Sequence, residues 1–371
     1  MKNQTIFNER KIVSIGDRKI GDGEPCFITY EAGPTHDGVE SAKRLITHAA
    51  EAGADAIKFQ IFDPDKLVAD RKQLFSYEVL IDRKTGKTEK VEEPLYDILA
   101  RRSLTENQWR EVKKHSDNLN LAFFATVGFE EDINFLESLG CHSIKIASAD
   151  VNHFPLLRKV AKTGMCVQID TGMSTFDEIE SAVDVLKSEG NENIIIHQCP
   201  SGYPARLDSI NLKMIPALKS KLPYPVAFSD HTPGAEMDIA AVAIGANLIE
   251  KTITEDRMTR SVEHVMSIEP AEMKKFIKTV RDLEIALGSS VKVMTDIEIE
   301  NRKKIRRSVF LEEEVEPGQL LGNVSISFRR PGFGVSPDQF ENMLKYSFKK
   351  KFPAGKCIYA EDLNPSKVDN Q

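Results

Sequence analysis

The 371-residue sequence has no apolar run that approaches the roughly 18 residues of a membrane span, and its first residues contain no apolar stretch of signal-peptide length. It also lacks a basic block. The formal net charge is -7, and the clusters KKIRR (303–307) and KKK (349–351) are short enough to be interpreted as solvated surface. The five cysteines show no CxxC spacing and mostly lie in apolar segments, which favours reduced, buried thiols. These absences predict a cytoplasmic protein whose main role involves neither nucleic acid nor a membrane.

What the sequence does contain is a regular alternation of short apolar strands and amphipathic helices, from residue 26 to about 287. The predicted strands are CFITYE (26–31), DAIKFQ (55–60), LAFFAT (121–126), HSIKIA (142–147), MCVQID (165–170), NIIIHQ (193–198), PVAFSD (225–230) and NLIEKT (247–252). The intervening helices carry start and stop signals, such as Gly53 after residues 39–52, Thr105 with Gln108, and Ser174 or Thr175 with Glu178. Eight such units predict an α/β fold, a parallel (β/α)8 TIM barrel, with a doubly wound sheet as the alternative.

The chain length suits one large domain and a small one. After the barrel the pattern changes to short strands with Pro and Gly turns, which predicts a small β-rich unit that is marginal alone and should dock on something. Within the barrel, residues 61–104 must hold a long loop, either a substrate-covering segment or a surface excursion without function. The predicted divisions are an N-terminal extension (1–25), the barrel (26–288), a linker (289–305) and the β-rich domain (306–371).

Polar side chains concentrate where the predicted strands end, and this is where barrel enzymes carry their chemistry. The candidates are Glu31, Lys58, Gln60, Thr126, Lys145, Ser148, Asp170, Ser229, His231 and Glu250, with Ser201 and Tyr203 in the turn after the sixth strand. Lys58 and Lys145 are costly to bury unpaired. They predict either a cradle for a phosphate or carboxylate ligand or a structural ion-pair network, and a Schiff-base lysine is a third reading. Taken alone, His231 is more often a hydrogen-bonded polar residue than a metal ligand.

Seven motifs, in this order along the chain, together resemble the sialic acid synthase family, the N-acetylneuraminate and related nonulosonate synthases. They are YEAGPTHDG (30–38), AGADAIKFQ (52–60), IKIASAD (144–150), DTGMS (170–174), FSDHTPG (228–234), EKTITEDR (250–257) and RRPGFGVSP (329–337). The resemblance covers about residues 25–365. It implies a TIM barrel followed by an antifreeze-like (SAF) domain, and a homodimer in which that domain closes the partner's active site.

The resemblance also implies an activity, the condensation of phosphoenolpyruvate with an open-chain N-acetylhexosamine to give a 3-deoxy-2-keto sugar acid and phosphate. A divalent metal, Mn²⁺ or Mg²⁺, would polarise the aldehyde oxygen. Glu31 and Glu250 match polar groups around the reacting carbons, His231 matches a metal ligand, and Arg330 matches an arginine that reaches the partner's sugar site. The positions that match the phosphoenolpyruvate cradle are Lys58, Thr126, Lys145, Ser148, Ser201 and Ser229.

Three departures from the family pattern lie at this site. Thr252 stands where the family has a second metal-binding histidine, so metal affinity should fall unless Glu31, Asp230, Glu250 or His264 compensates. Asp170 replaces a serine that touches the substrate phosphate, and a carboxylate there repels phosphate unless it is neutralised. The segment RSVEH (260–264) differs from the family's PGPDH. Either oxygen ligands such as Asp170 rebuild the metal site, or the substrate differs. The alternatives are a divergent barrel lyase or aldolase acting on another keto-acid or phosphorylated compound, and an inactive ligand-binding relative.

Overall fold

The computed structural model describes residues 10–365, which form one unit up to Gly288 and a second from Ser289 onward. In the described part of the first unit, eight parallel strands close into a barrel, and each pairs with its neighbours in chain order. They are β1 Phe27–Glu31, β2 Ala56–Gln60, β3 Ala122–Thr126, β4 Ser143–Ile146, β5 Cys166–Asp170, β6 Ile194–Gln198, β7 Val226–Asp230 and β8 Leu248–Thr252. Every predicted strand is present with bounds within one residue, and the closed parallel order confirms the TIM barrel over the doubly wound sheet.

One main helix follows each barrel strand within residues 10–365. These helices are α1 Val39–Ala52, α2 Glu106–Asn118, α3 Glu130–Ser138, α4 Phe154–Lys162, α5 Phe176–Ser188, α6 Met214–Lys221, α7 Glu236–Ala243 and α8 Pro270–Leu287. The predicted end of α1 is confirmed, because Gly53 adopts φ 89° and its N–H donates to the last carbonyls of the helix. The predicted capping boxes at Thr105 and Thr175 are also confirmed. Local sequence therefore determines where these helices begin and end.

Side chains alternate along each strand between the helix layer and the barrel interior. The interior residues nearest the strand starts pack against Val13, Ile15 and Ile20 of a β-hairpin (Val13–Ile15 with Arg18–Ile20). They are Phe27, Ala56, Phe124, Cys166, Ile195, Ala227 and Leu248. This apolar plug closes the N-terminal end of the barrel, so the polar interior side chains collect at the C-terminal end.

The excursion after β2 is more ordered than the long loop that the sequence predicts. Strands Leu74–Asp82 and Lys87–Pro94 form an antiparallel hairpin, flanked by the short helices Pro64–Leu67 and Leu95–Ala100. Its apolar side packs against Val262, in the segment that follows β8. Tyr77 and Val79 are buried at alternate positions of the first strand. The polar turn that follows makes this period-two pattern hard to recognise in the sequence.

The second unit has its own apolar core. Strand Ser308–Leu311 pairs antiparallel with Ile326–Arg329, and Ser347–Phe348 pairs with Leu363–Asn364. Helix α9, Asp296–Ile305, occupies most of the segment predicted as a linker, and helix α10 spans Pro337–Asn342. A capping box formed by Thr295 and Glu298 starts α9, a signal that the sequence carries. The buried core of this unit is Val309, Leu311, Val315, Leu321, Val335, Phe348, Phe352, Ile358 and Leu363.

The cysteines are free thiols, as predicted. Cys26, Cys141, Cys166 and Cys199 are buried, and Cys357 is partly exposed. Burial raises the pKa of Cys141 and of Cys166 to about 12, so these thiols stay protonated at neutral pH. Among residues 10–365, no helix combines the length and the apolar character that a membrane crossing requires.

Candidate active site

A cavity of about 370 Å³ lies at the C-terminal ends of the barrel strands. The predicted site residues that line it are Glu31, Lys58, Gln60, Thr126, Ser148, Asp170, Tyr203, His231 and Glu250. Lys145 and Ser229 lie behind this surface, fully or almost fully buried, and contact Asp170. Ser201 is outside the cavity lining, and Arg330 belongs to the second unit. The structure therefore brings together most of the predicted set.

Strand register places the first acid–base pair. Glu31 at the end of β1 is in register with Lys58 on β2 and with Thr252 on β8. Its carboxylate forms an ion pair with Lys58, and its Oε1 accepts a hydrogen bond from the Gly33 N–H at 2.5 Å. A Cβ at position 33 would lie 2.7 Å from that same oxygen, so glycine permits this close approach.

The two buried lysines share one carboxylate. Glu250 lies 3.2 Å from Lys58 Nζ through Oε1 and 2.7 Å from Lys145 Nζ through Oε2. Lys145 also pairs with Asp170 Oδ1 at 2.9 Å. Burial alone would neutralise Glu250, but the two ammonium groups outweigh it and lower the pKa of the carboxyl. Burial likewise opposes the charge on Lys58, and Glu250 and Glu31 outweigh it and raise the pKa of the ammonium.

These contacts bear directly on the ligand-cradle and ion-pair readings of the two lysines. In this structure both ammonium groups have carboxylate partners, as the ion-pair reading expects. The network nevertheless faces the cavity through Lys58, Asp170 and Glu250. Two ammonium groups face three carboxyl groups, and burial raises the pKa of one of these, Glu31. The cluster therefore has no positive charge left over. An anionic substrate that entered here would need an additional cation.

A neutral, buried histidine, His197, helps to orient Lys145. His197, on β6, is fully buried, and burial followed by the Lys145 charge lowers its pKa to about 3. Its Nε2 donates to Gln168 Oε1 at 3.0 Å, and Gln168 donates in turn to Ser143 Oγ at 2.8 Å. This chain fixes Nδ1 as an acceptor, and Lys145 Nζ lies 3.1 Å from it. His197 was absent from the predicted site, although a histidine inside an otherwise apolar strand was a usable signal.

Glu263 is a second residue that the predicted site set omits. It follows β8, lines the cavity and is only 7% exposed. Its backbone adopts φ 68°, a left-handed conformation that is strained for a side chain of this size. Burial, reinforced by the Glu31 carboxylate, raises its pKa to about 8. Near neutral pH it is therefore a protonated carboxylic acid, able to donate a hydrogen bond, and Thr252 Oγ1 lies 3.4 Å from its Oε2.

His231 presents one free ring nitrogen. Its Nδ1 lies 3.0 Å from the Pro200 carbonyl oxygen, which can only accept, so Nδ1 carries the proton and Nε2 is left as a lone-pair donor. Burial lowers the pKa of the ring, which keeps it neutral. The Tyr203 ring lies 4.7 Å away, centroid to centroid. A neutral imidazole oriented by a carbonyl is the usual form of a metal-binding histidine.

A family model described as the NeuB family matches residues 45–292, more than half of the chain. The chain belongs to the NeuB family. This confirms the resemblance drawn from the motifs.

Relatives of this NeuB-family chain match over most of their own length. It is 33% identical to the N,N'-diacetyllegionaminic acid synthase of Legionella pneumophila, over 96% of this chain and 99% of that protein. It is 32% identical to the N-acetylneuraminate-9-phosphate synthase of Homo sapiens, over 82% of this chain and 83% of that protein. The solved structure of a sialic acid synthetase from Leptospira borgpetersenii is 31% identical, with a TM-score of 0.69, covering 79% of this chain and 95% of that one. The NeuB-family protein is therefore an enzyme of the nonulosonic acid synthase class, which forms carbon–carbon bonds.

Because Thr252 stands where the NeuB family has a second metal-binding histidine, carboxylates are the remaining candidates to complete a metal site with His231. No group of three His, Cys, Asp or Glu side chains within residues 10–365 is arranged to hold a metal ion. Asp230 does not line the cavity. It pairs with Lys251 and accepts a hydrogen bond from Thr232 Oγ1 at 2.8 Å. His264 Nδ1 lies 2.7 Å from Thr254 Oγ1 and does not line the cavity. Asp230 and His264 therefore do not replace the missing imidazole, whereas Glu31 and Glu250 do line the cavity.

Proposed function

We propose that this protein condenses phosphoenolpyruvate with an open-chain N-acetylhexosamine-type aldose, giving a 3-deoxy-2-keto sugar acid and inorganic phosphate. Carbon 3 of the enol forms the new bond to the aldehyde carbon, and the aldehyde oxygen gains a proton and becomes a hydroxyl. Water adds to carbon 2, and the C–O bond to phosphate breaks. The observation that carries this proposal is the Lys58–Glu250–Lys145 network, set at the strand ends of a NeuB-family barrel.

Two hydroxyls and a backbone amide supply a place for the phosphate. Gly172 N–H donates to Ser148 Oγ at 3.0 Å. A Cβ built on Gly172 would lie 2.7 Å from Ser148 Oγ and 3.2 Å from Ser201 Oγ, so the absence of a side chain keeps space between these groups. Short hydroxyl and amide donors suit a phosphate, and Lys58 and Lys145 would supply the positive charge. Thr126 and Ser229 complete the proposed cradle.

The acceptor would lie against the acidic side of the cavity. Glu31 and Glu250 are paired with lysines, which suits them to orient hydroxyl groups. Glu263 is protonated near neutral pH, which suits it to donate a hydrogen bond to the aldehyde oxygen as that oxygen gains negative charge. Gln60 and Tyr203 line the same cavity and offer further contacts to the sugar.

The donor types in the cavity suit a hard divalent cation such as Mn²⁺ or Mg²⁺, although in this structure the carboxylates are paired with lysines and are not arranged around one point. His231 Nε2 and the carboxylates of Glu31, Glu250 and Asp170 are the residues that would hold it. When bound, such a cation polarises the aldehyde oxygen and offsets the negative charge of these carboxylates. In this reading Asp170 is a cation ligand, not a repulsive neighbour of the phosphate.

We further propose that residues 306–365 belong to an antifreeze-like (SAF) domain and that the protein works as a homodimer. The RRPG sequence (329–332) and the separate core of this unit support the assignment. Arg330 would reach the partner's sugar. A unit with so small a core gains stability by docking.

Phosphate release tests the function. Purified protein with Mn²⁺, phosphoenolpyruvate and either N-acetylmannosamine or a diacetamido hexose should release phosphate only when both substrates are present. Lys58→Met should abolish release, while the exposed Lys162→Met should behave as wild type. Failure to release phosphate with any such acceptor would favour a lyase, an aldolase or a ligand-binding role instead.

A further inference from the structure

A second pocket of about 370 Å³ adjoins the barrel cavity, and Arg102 lines both. It is bounded by the segment after β1, the start of α1, the end of the hairpin excursion and the segment after β8. Its basic and hydroxyl-bearing lining residues are His36, Arg44, Arg101, Arg102, Arg260, His264, Thr35, Ser41, Thr254, Thr259 and Ser261. Its acidic lining residues are Asp37 and Glu255. None of the roles proposed above uses this pocket.

Arg102 is a buried cation without a carboxylate partner among the described residues. It is 8% exposed, and it donates to the Ile98 carbonyl at 3.1 Å and to Ser261 Oγ at 2.6 Å. Burial lowers its pKa to about 10. The other arginines of the pocket are each paired, Arg44 with Glu255, Arg101 with Glu93 and Arg260 with Glu89. Glu263 is the carboxyl whose charge would act most on Arg102, but it is protonated near neutral pH. Glu255 is already engaged and Asp37 is exposed, so positive charge is left uncompensated at Arg102.

His36 gives an independent indication of a missing ligand. It is 2% exposed, and neither of its ring nitrogens has a hydrogen-bond partner within residues 10–365. The Gly38 backbone lies close enough to the ring to oppose the lowering of its pKa, but it falls outside hydrogen-bond geometry. The ring is held edge-on against Phe59 and Trp109, with centroid separations of 5.6 and 5.7 Å. A buried donor with no partner is costly, so a group that accepts from His36 would be stabilising.

The start of α1 faces the same pocket. The helix is 14 residues long, and its N-cap residue, Gly38, has no side chain to cap it. The first-turn residue Ser41 lines the pocket. The positive end of the helix dipole favours an anion at this position, and the Glu255 carboxylate already accepts a hydrogen bond there from Ser41 Oγ at 3.0 Å.

We propose that this Arg102 pocket binds a phosphate-class dianion beside the reaction cavity. A dianion would accept from the Arg102 fork and from His36. Two sources share this chemistry: a phosphate group on a phosphorylated acceptor aldose, which rests on the proposed function, and free inorganic phosphate. The shared Arg102 places the anion next to the acceptor in either case.

Binding of inorganic phosphate, followed by titration calorimetry, tests the site without turnover. Arg102→Gln should weaken one binding event by about tenfold or more, because a charge-assisted fork is lost. Thr259 is exposed at the rim, so Thr259→Glu should weaken the same event without disturbing the buried contacts, and Thr259→Gln should not. Arg158→Gln, an exposed arginine outside the pocket, is the charge control. Crystals soaked in tungstate should show it between Arg102 and His36. Unchanged phosphate binding in both Arg102→Gln and Thr259→Glu, or tungstate confined to the barrel cavity, would overturn the proposal.

Turnover then separates the two sources. If the anion is part of the acceptor, Arg102→Gln should raise KM for a 6-phosphorylated N-acetylhexosamine by about tenfold more than for the unphosphorylated sugar. An equal change for both sugars, together with lost phosphate binding, assigns the pocket to free phosphate. Absence of all turnover would refute the proposed reaction while leaving the phosphate titration and the tungstate position as valid tests of the pocket.

Discussion

Replacing Glu263 with Gln should change how the stability of the protein depends on pH. The wild-type carboxyl has a folded pKa of about 8, against an ordinary value of 4.5. Between these values the folded state holds a proton that the unfolded state has released. Stability therefore falls as pH rises from about 4.5 to about 8, and it levels off above that. A glutamine has nearly the same shape, carries no ionisable group and removes this dependence.

The expected magnitude follows from the shift. At pH 5 the wild-type carboxyl costs the folded state about 1 kcal/mol relative to glutamine, and at pH 8 it costs about 4 kcal/mol. The free-energy difference between Glu263→Gln and wild type should thus grow by about 3 kcal/mol across this interval. A bound cation would lower the pKa of the carboxyl, so the comparison requires metal-free protein in EDTA.

Urea unfolding at pH 5, 6, 7 and 8 measures this difference. Trp109, the single tryptophan of the chain, lies in α2 and reports on the first unit by fluorescence. Titrating groups that do not interact with Glu263 affect both proteins alike and cancel in the comparison. Glu180→Gln, an exposed carboxylate on α5, is the control for charge removal and should track wild type. Parallel curves for wild type and Glu263→Gln from pH 5 to pH 8 would refute the view that burial keeps Glu263 protonated.

Three further substitutions probe the rest of the site. Lys145→Met should lower the free energy of unfolding in urea by about 3–5 kcal/mol, because it leaves buried carboxylates without a partner. The exposed Lys159→Met is the control and should change little, and similar unfolding midpoints for the two variants would contradict the ion-pair network. Thr252→His should tighten Mn²⁺ binding by about tenfold in a calorimetric titration, and an unchanged titration would show that other groups already complete the site. Arg330→Ala should raise KM for the sugar but not for phosphoenolpyruvate in steady-state kinetics; loss of both would point to a folding role.

Features set by nearby residues were predictable. The bounds of β1–β8 agree within one residue because each strand is a short apolar run closed by turn residues. The ends of α1, α2 and α5 follow from glycine and capping residues that act over three or four positions. The cavity position was also predictable, since polar residues at the ends of parallel strands must meet at one face of the barrel.

Two elements with local signals were nevertheless missed. Helix α9 begins at a Thr295–Glu298 capping box inside the segment interpreted as linker. The hairpin of residues 74–94 has alternating buried residues before its polar turn. Both segments are mainly polar. This polarity favoured the prediction of a linker or a loop over the short helix or strand signal that each segment contains.

The sequence by itself determined that eight β/α units form a barrel and that lysines and carboxylates meet at its mouth, because strand periodicity and parallel register are local properties of the chain. Only the tertiary structure decided which carboxylate each lysine pairs with, that Glu263 stays protonated near neutral pH, and that Arg102 has no carboxylate partner within residues 10–365. Those outcomes depend on burial and on charges contributed by segments that are as much as 200 residues apart, such as Lys58 and Glu250, 192 residues apart in sequence and 3.2 Å apart in space.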